Sequence, residues 1–159
     1  MSGAGTDVGD ETHAVVAAAT RLLAVREHSR RELHRKLARH GWTESVRQAA
    51  LDRLEGDGLL SERRFAVALV EQRQRKGYGP LHIRAELIDR GIDADLIEEA
   101  LQDAAVDWDA LLHDVAARRF GRDAGPPDLA ERLRRGRQLS RRGFPIGMVR
   151  GYLNGLSRS

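Results

Sequence analysis

Three histidines, His28, His34 and His40, stand six residues apart and invite a metal reading. On a helix, successive members of such a series differ by about 240°. Ser29 also breaks the helix between the first two, so no single face gathers the three imidazoles. His13, His82 and His113 add no ligand spacing. Gly77-Tyr-Gly79 and Gly56-Asp-Gly58 lack the phosphate-loop spacings and follow no strand, so they read as turns between helices. Asp107-Trp-Asp109 and Glu98-Glu99 are close carboxylates; acid/base work would need a pocket and separated pKa values, and they read as helix-surface charges. No Ser, Thr or Lys has a base beside it in a recognisable context. The expectation is a non-enzyme with no catalytic residue, no metal and no cofactor.

Chemistry must therefore come from a surface, and charge is distributed unevenly along the 159 residues. Residues 79–107 carry eight acids against two arginines and sum to −6, whereas 129–159 sum to +7, within a total of +3. Three basic clusters stand out. The first is Arg30, Arg31, Arg35 and Lys36; the second is Arg63, Arg64, Arg73, Arg75 and Lys76. Charge runs are usually solvated helix faces, and the first cluster reads equally well as one. The third, Arg132, Arg134, Arg135, Arg137, Arg141 and Arg142, has no acid between its ends, so internal i,i+4 pairing is not available inside it. An anionic partner, a nucleic acid or an acidic protein face, is the expected use.

The elements carrying these clusters follow from composition and repetition. Aromatics are 4%, charged residues 32% and cysteines absent, with Ala, Leu, Arg and Glu dominant. That mix favours helices, and the absence of Cys removes disulfides and thiolate chemistry. No apolar run is long enough to span a bilayer, and the first residues are acidic where a signal peptide is basic. A soluble, cytoplasmic, monomeric protein is expected, with residues 1–12 as a disordered tail.

An internal repeat appears at an offset of 50. Leu33, Leu37, Gly41, Trp42 and Val46 align with Ile83, Leu87, Gly91, Ile92 and Leu96. A weaker third copy has Leu139, Gly143, Phe144 and Met148. In each copy a helix ends at Gly, an apolar residue follows, and another helix begins. Ser29 with Glu32 reads as a capping box, Thr43 and Asp93 as N-caps, and Gly79-Pro80 as a helix start. Each pair has a preceding helix, near 13–27, 62–76 and 107–121. The predicted fold is all-α, three tandem three-helix repeats over 13–56, 57–106 and 107–159, in an elongated curved array. Pro145 at the cap position and Arg135 at an apolar position make the third copy the least regular.

Three blocks together resemble the RecX family of regulators of the RecA recombinase. They are Arg26-Glu-His-Ser-Arg-Arg-Glu-Leu33-His-Arg-Lys-Leu37 with Gly41; Leu54-Glu-Gly-Asp-Gly-Leu-Leu-Ser-Glu-Arg-Arg-Phe-Ala66; and Gly77-Tyr-Gly-Pro-Leu-His-Ile-Arg-Ala-Glu-Leu87 with Gly91-Ile92. Where the family usually has an aspartate before Arg-Phe-Ala, Ser61-Glu62 stand here, keeping a cap and a charge. The resemblance implies a protein that binds within the helical groove of the RecA filament on single-stranded DNA. It would there lower ATPase activity, strand exchange or filament growth, in DNA repair and the SOS response. RecA is then the partner, with weak direct contact to single-stranded or duplex DNA. The alternative is a helix-turn-helix-like DNA binder; the acids Asp95, Glu98, Glu99 and Asp103 on the second helix of copy two disfavour it in a phosphate-lined groove.

Overall fold

Hydroxyl and carboxylate side chains set most of the helix starts. The computed structural model describes residues 4–122 and 126–157, and among them nine helices occur in the order α1 (Ala4–Val25), α2 (Arg30–Ala38), α3 (Glu44–Gly56), α4 (Glu62–Arg75), α5 (Pro80–Asp89), α6 (Ala94–Asp103), α7 (Trp108–Phe120), α8 (Leu129–Arg141) and α9 (Ile146–Gly155). Ser29, Thr43, Ser61, Asp93, Asp107 and Asp128 each accept a hydrogen bond from a first-turn backbone N–H, satisfying a donor with no intrahelical partner. Ser29 plays its part in the predicted capping box, accepting from the Glu32 N–H at 3.1 Å. Glu32 turns elsewhere: its carboxylate takes the Arg26 guanidinium at 2.5 Å and lies 3.6 Å from Lys36.

Gly41, Gly91 and Gly143 close α2, α5 and α8 at φ +78°, +79° and +96°, in the left-handed region that a Cβ disfavours. The repeat is thus written in backbone geometry as well as in residue type. At the N-terminus, α1 runs into the segment expected as a disordered tail. It starts at Ala4, and Thr12 Oγ1 donates to the Val8 carbonyl at 2.8 Å. Extending an existing helix by a turn costs far less than starting one, so low hydrophobicity does not stop it. Residues 1–3 lie outside the described residues.

Each group of three helices closes its own core. The first contains Val15, Leu33, Leu37, Val46, Leu51 and Leu54, with Trp42 partly buried against it. The second contains Phe65, Ile83, Leu87, Ile92, Ile97 and Leu101, with Leu96 partly buried. The third contains Leu112, Val115, Leu139, Phe144, Val149 and Tyr152, with Met148 partly buried. Leu96 and Met148 therefore sit at the core edge, and Ile97 and Val149, one residue later, point inward. Arg47 occupies the corresponding position in the first unit, its guanidinium bonded to the His34 carbonyl at 3.0 Å, and Val46 fills the core there instead.

Arg135 stands where Leu33 and Ile83 stand in the other copies, and it is buried as they are, at 5% exposure. Its guanidinium lies over the Phe120 ring, 5.0 Å from the centroid, and Nε donates to Glu131 at 2.8 Å. An arginine is thereby accommodated in a core position by an aromatic face and a carboxylate. Dividing the interior three ways leaves more surface than one core would. The chain exposes 9737 Å², against about 7,900 Å² for a compact monomer of this mass.

Candidate nucleoprotein-binding surface

Much of the basic charge is neutralised within the molecule. Arg30 pairs with Asp52 at 2.7 Å and Glu55 at 3.1 Å, Arg63 with Asp103 at 2.6 Å, and Arg64 with Glu27 at 2.9 Å. Arg73 lies 2.6 Å from Glu86, whose pKa is lowered chiefly by that bond. Arg31 donates to the Asp89 carbonyl at 3.2 Å. Lys36 lies between Glu32 and His28, 3.0 Å from the His28 Nε2.

The third cluster also differs from its sequence reading. Glu131, one residue before its start, pairs with both Arg134 and Arg135 at 2.7 and 2.8 Å. The burial of Arg135 removes it from any binding surface. Arg132 bonds to the Ser157 hydroxyl. Among the described residues, Arg31, Arg35, Arg75, Lys76, Arg132, Arg137, Arg141 and Arg142 have no carboxylate within ion-pair distance; a carbonyl or hydroxyl partner, as for Arg31, Arg132 and Arg142, leaves the charge in place. These are the predicted cations left with charge to offer.

Several of them converge where the second and third units meet. Tyr78, Arg119, Gln138, Arg141 and Arg142 line an open cleft of about 410 Å³, with Lys76 alongside. Arg142 Nη1 donates to the Lys76 carbonyl at 3.1 Å, and its guanidinium lies 4.8 Å from the Tyr78 centroid. Tyr78 also stacks on His82, with 4.2 Å between ring centroids. The guanidinium forks suit phosphate or carboxylate oxygens. Arg119 is the member that sequence reasoning missed. It lies in a segment of nearly balanced charge, and only folding brings α7 beside α8.

The joint that builds this cleft is a backbone clasp. Gly79 N–H donates to the Arg142 carbonyl at 2.8 Å and Leu81 N–H to the Gly143 carbonyl at 2.9 Å. The start of α5, which has no side-chain cap, is therefore capped by the end of α8, placing a positive helix end against a negative one. A Cβ on Gly143 would fall 2.4 Å from the His82 nitrogen, and one on Gly79 would fall 2.5 Å from the Gly143 carbonyl group. The equivalent end of α2 meets its neighbour through a side chain instead: Glu62 Oε1 accepts from the Arg30 N–H at 3.2 Å.

The histidines follow separate paths. His28 is buried, which lowers its pKa, with Nδ1 2.9 Å from the Arg26 carbonyl. His34 contacts Arg47, and His40 stacks against Trp42 at 4.9 Å. No helix among the described residues is long and apolar enough to cross a membrane.

Three family models, for the first, second and third three-helix domains of RecX, match residues 17–54, 61–101 and 107–153. The chain belongs to the RecX family. Among curated RecX relatives, each named a regulatory protein, one from Pseudomonas savastanoi pv. phaseolicola is 47% identical over 146 residues, covering 92% of this chain and 94% of the relative. Another, from Xanthomonas oryzae pv. oryzae, is 46% identical over 129 residues, covering 81% of this chain and 80% of the relative. The fold matches crystal structures of RecX proteins at 20% identity. One has a TM-score of 0.79 over 94% of this chain and 74% of that one; RecX from Lactobacillus salivarius has 0.76 over 95% and 99%. The regular spacing of RecX three-helix units thus extends over nearly the whole chain.

Proposed function

We propose that this RecX-family chain binds the RecA–DNA filament along its helical groove and lowers recombinase ATPase, strand exchange or filament growth. The observation that carries this reading is the distribution of unpaired cations over an open three-unit array. Arg31 and Arg35 lie on the first unit, Arg75 and Lys76 on the second, and Arg132, Arg137, Arg141 and Arg142 on the third. A polymer with a repeating surface is matched by a body with separated contact points. The proposed contacts are those cations together with Arg119, while the arginines bonded to Asp, Glu or a core ring position the helices.

Such a regulator shifts the filament only by binding one of its states better than the others. A tenfold preference corresponds to about 1.4 kcal/mol, within reach of a few charge-assisted contacts. The test is co-sedimentation of the full chain with nucleotide-loaded RecA filaments, with DNA alone and RecA alone as separate arms. Enrichment with the loaded filament, reduced when Arg119, Arg141 and Arg142 are changed to Ala, is expected. Equal binding to bare DNA would overturn the proposal in favour of a direct nucleic-acid binder. Direct DNA contact is a minor accompaniment; on single strands it would weaken with salt by about 0.7 in log K per phosphate neutralised.

A further inference from the structure

Helices α8 and α9 leave an apolar groove between them on the outside of the third unit. Its volume is about 610 Å³ and its floor includes Leu129, Leu133, Ile146, Val149 and Leu153. Leu129 is 73% exposed, Leu133 54% and Ile146 60%, in a chain whose other large apolar side chains are mostly enclosed. Gly136 interrupts the floor; a Cβ there would reach 3.3 Å from Leu153 Cδ1, so the glycine keeps α8 and α9 close and leaves a notch above them. Arg132, Arg137, Arg141 and Arg150 line the same groove, and no acid does. None of the four forms an ion pair among the described residues, because Glu131 is committed to Arg134 and Arg135.

We infer that this groove is a docking site for an acidic amphipathic helix of a partner protein. An apolar channel between two helices accepts the i, i+3, i+4, i+7 ridge of a third, and the arginine rim selects carboxylates on its flanks. Three observations favour this occupant over others. A surface that held single-stranded nucleic acid would offer aromatic faces for stacking, and the lining here is aliphatic. A second copy has its acids concentrated on α6, but Ile97, Ala100 and Leu101 of that helix are buried in their own core and leave no free apolar ridge. The patch is concave and continuous, unlike the isolated apolar side chains that any soluble surface carries.

The inference does not depend on the recombinase reading, and its test uses no recombinase. The probe is a fluorescein-labelled peptide of about 14 residues, long enough to lie along the roughly 20 Å of α8, with Leu at i, i+3, i+4 and i+7 and Glu on the flanks. Anisotropy titration with the full chain should saturate. The same composition in scrambled order should bind at least tenfold more weakly. Leu133→Asp with Ile146→Asp, both at exposed positions, should lose at least tenfold in affinity with an unchanged melting temperature. Arg137→Glu with Arg150→Glu should lose the acidic peptide and gain a lysine version of it, a reversal that misfolding could not produce. No saturable binding, or equal binding of the scrambled peptide, would overturn the inference. So would tighter binding of a labelled thymidine oligonucleotide, or self-association of the chain that Leu133→Asp abolishes.

Discussion

The two joints between successive units solve one problem with different materials. In both, the first turn of a middle helix borrows an acceptor from the next unit. For α2 that acceptor is the Glu62 carboxylate, supported by Arg64 on Glu27 and Arg31 on the Asp89 carbonyl. For α5 it is the main chain itself, the carbonyls of Arg142 and Gly143. Side chains on exposed arms change rotamer, exchange partners and respond to salt. Backbone bonds between two glycine-bearing turns have none of these freedoms. On this contrast the first joint is expected to yield more readily than the second, at which the basic cleft lies.

The strongest way to break this contrast is Gly143→Ala. Both the positive φ and the contact with His82 oppose the methyl group, and a loss of about 2–4 kcal/mol is expected. Urea unfolding would measure it, and hydrogen exchange at the Gly79 and Leu81 amides should accelerate in step. Full stability in the variant would mean that the clasp does not bind the units together. Glu62→Ala is the counterpart at the other joint. It leaves the Arg30 N–H without its acceptor, at a cost of about 1–2 kcal/mol by the same unfolding assay, with no change in exchange at Gly79.

Acid should act on the first joint's side of the molecule. Burial pushes the Glu32 carboxyl up, but the bond from Arg26 and the charges of Arg26, His28 and Lys36 outweigh it, and the pKa falls from 4.5 to about 2. A depressed carboxylate contributes stability above its unfolded value and loses it as pH falls toward its folded value. Glu32→Gln should thus be less stable than the parent by about 1 kcal/mol at pH 7, allowing for the exposure of Arg26. That gap should close between about pH 5 and pH 2. A gap that persists at pH 2 would assign the effect to packing.

The smallest effect sharpens the contrast most directly. Arg64→Gln should cost about 0.5 kcal/mol, and high salt should do the same to the parent. Fluorophore pairs placed across each joint would report a distance change with salt at the first and none at the second. Equal responses would show that both joints draw on the same interactions.

Much of this architecture is legible in the amino-acid order, because local rules and the repeat agree. Leu33 and Leu37, Ile83 and Leu87, and Leu139 all enter cores, and Gly41, Gly91 and Gly143 end helices at positive φ. The departures have separate physical origins. Leu96 and Met148 pack partly buried against their cores while Ile97 and Val149, about 100° further round the helix, lie fully inside, a difference that apolar type alone does not resolve. Glu131 lies just outside the arginine run, where it pairs with Arg134 and Arg135. Arg63 with Asp103 and Arg64 with Glu27 join residues 40 and 37 apart, so no local window reveals that those cations are already used. The Gly79–Gly143 clasp is likewise invisible until the chain folds, since either glycine alone reads as an ordinary helix boundary.

Sealing each interior within three helices also governs how such a protein can grow or shrink. Lengthening a globule means redesigning its centre, whereas here a duplicated gene segment would add one more finished block and disturb only the face it lands on. Reach can therefore be altered by whole modules, and a lesion in one block's interior need not propagate to the others.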